Sequence, residues 1–288
     1  MKLTVNGIEA YAYTGGKPLD ATLPCVVFIH GALHEHSVWT LLARWCAHHG
    51  HGVLALDLPG HGRSAGPPLA SVEALADWLL AVLAAAGVQQ PGQATLVGHS
   101  LGSLIALECA ARAPGLVGRL VLVGTAFPMK VSPALLDTGR DDPLKAIDLV
   151  NAFSIGSWAA KPSFPGPGMW LHGGNRALMR RVLAGGQAAF AMDGLHDGGA
   201  ANLFVHDFSV CDRYANGLQA AAGVRCPVTM VLGTLDQMTP PRSAGTLAAA
   251  LKARVVTLPA GHSIPSEDPE GLLAALRKAL ASNQRIVA

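Results

Sequence analysis

Gly98-His99-Ser100-Leu101-Gly102 joins an apolar, strand-like run at 94–97 to a helix-like run at 101–112, and no other stretch constrains the chain so tightly. A serine flanked by glycines at a switch from strand to helix reads as a turn too sharp for larger residues, with its hydroxyl left exposed. Taken alone, the pentapeptide also suits a serine that merely caps a helix. If the turn is chemical, Ser100 is placed to attack a carbonyl. A serine hydroxyl is a poor nucleophile until a base takes its proton and a third group orients that base. A carboxylate and a histidine are therefore expected downstream.

Both occur in the order serine, acid, histidine. An apolar run at 227–233 leads into Thr234-Leu235-Asp236-Gln237-Met238, and a second at 253–258 leads into Pro259-Ala260-Gly261-His262-Ser263. Asp236 is the favoured acid and His262 the base, each just past a predicted strand. Asp207, Glu267 and Asp268 are alternative acids, although Asp268 beside Pro269 reads as a helix N-cap. Strands are expected near 3–5, 10–13, 25–30, 52–56, 94–97, 119–123, 227–232 and 253–258, alternating with helices. The helix after Ser71 shows this most plainly, with Val72, Leu75, Ala76, Leu79, Leu83 and Ala86 at helical spacing and Gly87 as its stop.

Two further motifs precede the serine: His30-Gly31, and Asp57-Leu58-Pro59-Gly60-His61-Gly62-Arg63-Ser64. With Gly233 to Asp236 and Gly261-His262, their order and spacing resemble the α/β-hydrolase superfamily over most of the chain. The resemblance implies an α/β fold: a mostly parallel eight-stranded sheet with helices on both faces and a helical cap inserted after the sixth strand. The core is then 1–127 and 209–288, and the cap 128–208. It also implies a catalytic triad of Ser100, Asp236 and His262. The oxyanion hole falls to the backbone N–H groups of Leu101 and Ala32, with Leu33 as the alternative because relatives differ by a residue in this turn. His30 is expected to brace that turn, and His61 and His99 to be structural or pocket-lining. Ser103 stands where many relatives carry a second glycine. Serine rather than aspartate at position 100 argues against haloalkane dehalogenase and epoxide hydrolase chemistry.

The strand-helix rhythm breaks between about 127 and 208, around a Pro- and Gly-rich stretch at 161–174 expected to be a loop. Interruptions this long inside a compact domain are usually functional. Aromatic residues are 5% of the chain, yet this segment holds Phe153, Trp158, Phe164, Trp170, Phe190 and Phe204. Trp158 and Phe164 are the first candidates for substrate contact; the competing reading is that these rings form a small core of their own. Arg176, Arg180 and Arg181 would suit a substrate carboxylate, or simply a solvated helix face.

Composition excludes several other classes. With 50% apolar and 14% charged residues over 288 positions, the chain is a compact globule rather than a disordered one. Twenty-one basic and 19 acidic residues give a net charge of +2 and no basic stripe, so no nucleic-acid partner is expected. Five scattered cysteines without C-x-x-C spacing suggest a reducing compartment. His34-Glu35-His36 lacks the companion ligands of a metal motif, and neither metal nor cofactor is expected. The amino terminus alternates like an edge strand and has no signal-type apolar region. The longest apolar stretch, 75–86, is shorter than the roughly 20 residues needed to span a bilayer. The expectation is a cytoplasmic serine hydrolase, without a membrane partner, that cleaves a carboxylic ester of a small, partly apolar molecule through an acyl-enzyme. A carbon-carbon bond hydrolase or lactonase is the alternative within the superfamily, and a ligand-sensing receptor the alternative of another class. No motif encodes an oligomeric state.

Overall fold

A computed structural model describes residues 1–156, 168–192 and 202–281. Eight strands form one sheet: β1 (Lys2–Val5), β2 (Ile8–Tyr13), β3 (Cys25–Ile29), β4 (Gly52–Leu56), β5 (Ala94–His99), β6 (Val117–Val123), β7 (Val228–Gly233) and β8 (Arg254–Leu258), in the order β1-β2-β4-β3-β5-β6-β7-β8. β1 and β2 are an antiparallel hairpin, β2 joins β4 antiparallel, and every other pair is parallel. The hairpin turns at Asn6-Gly7, both at positive φ, which suits the asparagine-glycine pair. The helices are α1 (Thr40–Ala47), α2 (Val72–Ala85), α3 (Leu101–Arg112), α4 (Pro133–Asp141), α5 (Pro143–Ser154), α6 (Gly168–Met192), α7 (Leu203–Arg213), α8 (Gly217–Gly223), α9 (Gly245–Ala250), α10 (Ile264–Glu267) and α11 (Pro269–Ala281).

β3 and β4 are apolar throughout because both of their faces are covered. Along β3, Cys25, Val27 and Ile29 enter one core with α2 and α3, while Val26 and Phe28 enter the other with α1 and α11. β4 divides in the same way, Leu54 and Leu56 against Val53 and Ala55. α2 begins as its sequence predicts, the Ser71 hydroxyl accepting the Ala74 N–H at 3.1 Å, and ends before Gly87 at φ +76°.

Among the described residues five helices, α4 to α8, lie between β6 and β7, and α4 to α7 share a core that includes Ile147, Met179, Leu183, Leu203 and Phe204. One expectation needs correction here. The glycine-rich stretch 161–174 is not all loop, since α6 starts at Gly168 and runs through Gly173-Gly174. Two helical glycines cost about 2 kcal/mol relative to alanine. Burial of Asn175, Met179, Val182, Leu183 and Gly186 along one face outweighs that cost, and Gly186 itself is required because the Leu203 side chain occupies the place of a Cβ. The expected edge at 208 falls inside α7, which continues to Arg213. No described helix is long and apolar enough to cross a membrane.

Candidate active site

The parallel strands deliver the predicted groups to one edge of the sheet, where their carboxyl ends open. Ser100 follows β5, Asp236 lies three residues beyond β7, and His262 lies four beyond β8. Ser100 sits at φ +52°, ψ −119°, a conformation that costs a non-glycine residue of order 1–3 kcal/mol. The surrounding backbone imposes it. The Ser100 N–H donates to the Val123 carbonyl at 2.9 Å, and the Ser103 N–H donates to the Ser100 carbonyl at 2.8 Å. A Cβ on Gly98 would strike the Gly102 backbone, and one on Gly102 the Ile29 carbonyl, so both motif glycines answer to close approach. The Ser100 hydroxyl does not cap α3, which disposes of the helix-cap reading. Ser103, in place of a second glycine, uses its hydroxyl to bond the Ser100 carbonyl and the Thr125 hydroxyl.

His262 Nδ1 lies 2.9 Å from Asp236 Oδ2. An ionised carboxylate only accepts, so Nδ1 carries a proton, and in the neutral form of this ring the lone pair is on Nε2. Asp236 also accepts the N–H groups of Met238 and Thr239 and the Thr239 hydroxyl, each at 2.8 Å. Burial works to raise its pKa, but adjacent His262 and the Thr239 hydrogen bonds outweigh it and hold the carboxyl well below the usual range. Thr239, which the sequence analysis did not single out, also touches His262 Nδ1 at 3.0 Å. Its signal was the spacing: a hydroxyl residue three positions after an aspartate folds back on it. The His262 loop is pinned in turn, with the His262 N–H on the Ser154 carbonyl at 2.6 Å.

The other acids have other partners. Glu267 accepts the N–H groups of Gly156 and Gly261, and Asp268 caps α11 through the Gly271 N–H. Asp207 pairs with His61 at 2.9 Å. His99 Nε2 donates to the His262 carbonyl at 2.8 Å, so the residue before Ser100 steadies the His262 loop.

At the turn after β3, His30 bonds backbone on both sides. Its Nε2 accepts the Leu58 N–H at 3.0 Å, which leaves Nδ1–H to donate to the Gly31 carbonyl at 2.8 Å. Burial, reinforced by nearby His61, pushes its pKa down to about 3, so the ring is neutral. The alternative donor Leu33 is already engaged, its N–H donating to Asp207 Oδ2 at 2.8 Å. Among the described residues the Ala32 N–H has no partner, and Ala32 lines the cavity. Leu101, the first residue of α3, has an N–H that the helix leaves open.

Ser100, His262 and Ala32 share a cavity of about 490 Å³, of the size that takes a small organic ligand. Its far wall comes from the segment between β6 and β7, through Met129, Val131, Leu135, Phe153 and Phe208. Trp158 and Phe164, the expected contacts, lie outside the described residues. Phe204 is fully buried and stacks on Phe208 at 4.5 Å, as the small-core reading predicts. The three arginines bind elsewhere: Arg176 and Arg180 reach Asp148 at 2.8 and 3.6 Å, and Arg181 reaches Glu35 at 2.6 Å. They therefore do not supply the cavity with a carboxylate-binding cation. Glu35, His36 and Asp57 converge closely enough to suggest a cation site, but Asp57 Oδ1 is spent on the His36 N–H and ring at 2.7 and 2.8 Å, and its Oδ2 on the Arg63 N–H.

Comparison with known proteins agrees with this architecture. A model of the alpha/beta hydrolase family matches residues 26–275. The chain is 41% identical over 101 residues to a pimeloyl-[acyl-carrier protein] methyl ester esterase of Methylococcus capsulatus, covering 35% of this chain and 36% of that one. It is 36% identical over 115 residues to an sn-1-specific diacylglycerol lipase of Mus musculus, covering 40% and 36%. These matches thus span about a third of each relative's length. Among solved structures, an enol-lactonase from Burkholderia xenovorans superposes with a TM-score of 0.79 at 21% identity, over 98% of this chain and all of that one.

Proposed function

The chain belongs to the alpha/beta hydrolase family, and on that premise we propose that it is a serine esterase acting on a small, partly apolar ester through an acyl-enzyme. The observation that carries the reading is one cavity bordered by a strained serine at a strand-helix turn and by a histidine whose Nδ1–H is held by a buried carboxylate. In the proposed mechanism the Ser100 hydroxyl approaches His262 Nε2, as such contacts close when substrate binds. His262 takes the proton, and Ser100 Oγ attacks the ester carbonyl. The N–H groups of Ala32 and Leu101 receive the oxyanion. The imidazolium then protonates the leaving alcohol, and water activated by His262 releases the acid. Asp236 keeps the ring oriented and stabilises its cation.

The apolar wall of Met129, Leu135, Phe153 and Phe208 supports an acyl or alkyl group as the buried part of the substrate. Helices α4 to α7 serve in this reading as the cap. Cysteines without disulfide partners among the described residues support a cytoplasmic setting. The test is hydrolysis of p-nitrophenyl esters of graded acyl length. Ser100→Ala is expected to lower kcat by about 10⁵- to 10⁶-fold and to abolish labelling by a fluorophosphonate. Undiminished turnover by the variant would remove Ser100 from the mechanism.

A further inference from the structure

Ala32 Cα joins two peptide units, and three of their four polar groups are clamped. The Gly31 carbonyl is held by His30 Nδ1–H at 2.8 Å, and the Ala32 carbonyl by His34 Nδ1 at 2.7 Å. The Leu33 N–H is held by Asp207 Oδ2 at 2.8 Å. In a trans peptide the N–H points opposite to the carbonyl of the same unit, so the grip on Gly31 sets the direction of the Ala32 N–H. The grip on Leu33 comes from far away, 174 residues along the chain. It also holds Leu33 at φ +56°, a left-handed conformation that a leucine adopts only under constraint.

Asp207 is 1% exposed and plays no part in the chemistry proposed above. A carboxylate buried beside a developing oxyanion would oppose the reaction unless its charge were balanced. His61 supplies the balance. One of its ring nitrogens faces the Pro59 carbonyl at 3.1 Å and the other faces Asp207 at 2.9 Å. Two acceptors for two nitrogens select the imidazolium. Burial disfavours that cation, but Asp207 beside it prevails and raises its pKa. His206 completes the set on Asp207 Oδ1 at 3.1 Å.

We propose that Asp207, neutralised by His61, is a positioning residue for the oxyanion hole: it draws the Leu33 N–H away from the cavity and fixes the turn so that the Ala32 N–H faces the substrate. The inference rests on the esterase reading, since it assigns a task to the same turn.

The experiment compares Asp207→Ala and Asp207→Asn with wild type, counting active sites by fluorophosphonate titration so that only folded enzyme is scored. Two quantities are read: ester kinetics, and affinity for an alkyl trifluoromethyl ketone, which adds to the serine and places an oxyanion in the hole. Asp207→Ala is expected to lower kcat about 10²-fold with KM within twofold, and to weaken the ketone by the same factor. Asp207→Asn keeps an acceptor for the Leu33 N–H but loses the charge that His61 balances, and is expected to fall between wild type and Asp207→Ala, about tenfold below wild type in kcat and in ketone affinity. Should the alanine variant fail to fold, the asparagine variant carries the test with an expected loss of about tenfold in both quantities. Wild-type kcat and ketone affinity per active site in whichever variant folds overturns the inference, as does a loss confined to KM. An inactive Ser100→Ala beside an unaffected Asp207→Asn sinks this inference alone, whereas an active Ser100→Ala sinks the esterase reading beneath it.

Discussion

Thr239 shows how much a single side chain can carry. Its N–H and its hydroxyl both bond Asp236, one to each oxygen, and the same hydroxyl touches His262 Nδ1. Removing the hydroxyl while keeping the shape leaves Asp236 with one donor fewer and His262 with a less constrained ring. Hydrogen bonds to charged groups are worth about 1.5–3 kcal/mol. Thr239→Val is therefore expected to lower kcat/KM by at least tenfold with KM nearly constant, measured by initial rates on a p-nitrophenyl ester. Rates within twofold of wild type would mean the carboxylate is oriented without it.

Among the elements, α3 must hold its first turn still, because Ser100 and Leu101 stand there. The far end of the helix is anchored by Glu108, which accepts from Arg112 at 3.0 Å, the Tyr214 hydroxyl at 2.7 Å and Asn216 at 3.0 Å. Burial, and then the Glu108 hydrogen bond, push the Tyr214 pKa up, so the hydroxyl stays a donor. This ties α3 to the chain leaving α7 and thus joins the sheet to the segment that walls the cavity. Glu108→Ala strands the Tyr214 and Asn216 donors and is expected to cost about 3 kcal/mol, read as a lower urea midpoint. Turnover per folded molecule should stay near wild type, because Glu108 touches neither the cavity nor Ser100, Asp236 or His262.

For the molecule as a whole, the buried histidines set a direction for pH. Burial first, and then neighbouring His61 for one and His262 for the other, depress the pKa of His30 to about 3 and that of His99 well below its ordinary value. Unfolded histidines titrate near 6.5. At lower pH the unfolded chain therefore binds more protons than the folded one. The stabilisation from both rings is complete above about pH 6.5 and is lost as pH falls toward the folded values. His61 has the opposite sign: its raised pKa contributes fully below about 6.5 and is lost as pH rises through the folded value. Asp207 and Asp236, both depressed despite burial by their histidine partners, add to the acid loss below about pH 4. The melting temperature is expected to fall as pH drops from about 6.5 to 4, with a shallower fall in His30→Gln. Parallel profiles for the two proteins would show that His30 titrates no differently folded and unfolded.

Much of this was legible in the chain because the causes are local. The turn at Ser100 needs glycines two positions either side, and β3, β4 and β5 need apolar residues on both faces, so those demands are written in adjacent residues. Asp236 and His262 announce themselves by following strands. What only the tertiary structure decided depends on groups distant in sequence. Nothing near position 33 reveals that its N–H is taken by Asp207, and that bond is what separates Ala32 from Leu33 as the open donor. The cavity wall of Met129, Phe153 and Phe208, and a helix that runs through Gly173-Gly174 because its other face is buried, were hidden for the same reason. Periodicity reports which side of an element is apolar, whereas the identity of what it meets is fixed only when the whole chain packs.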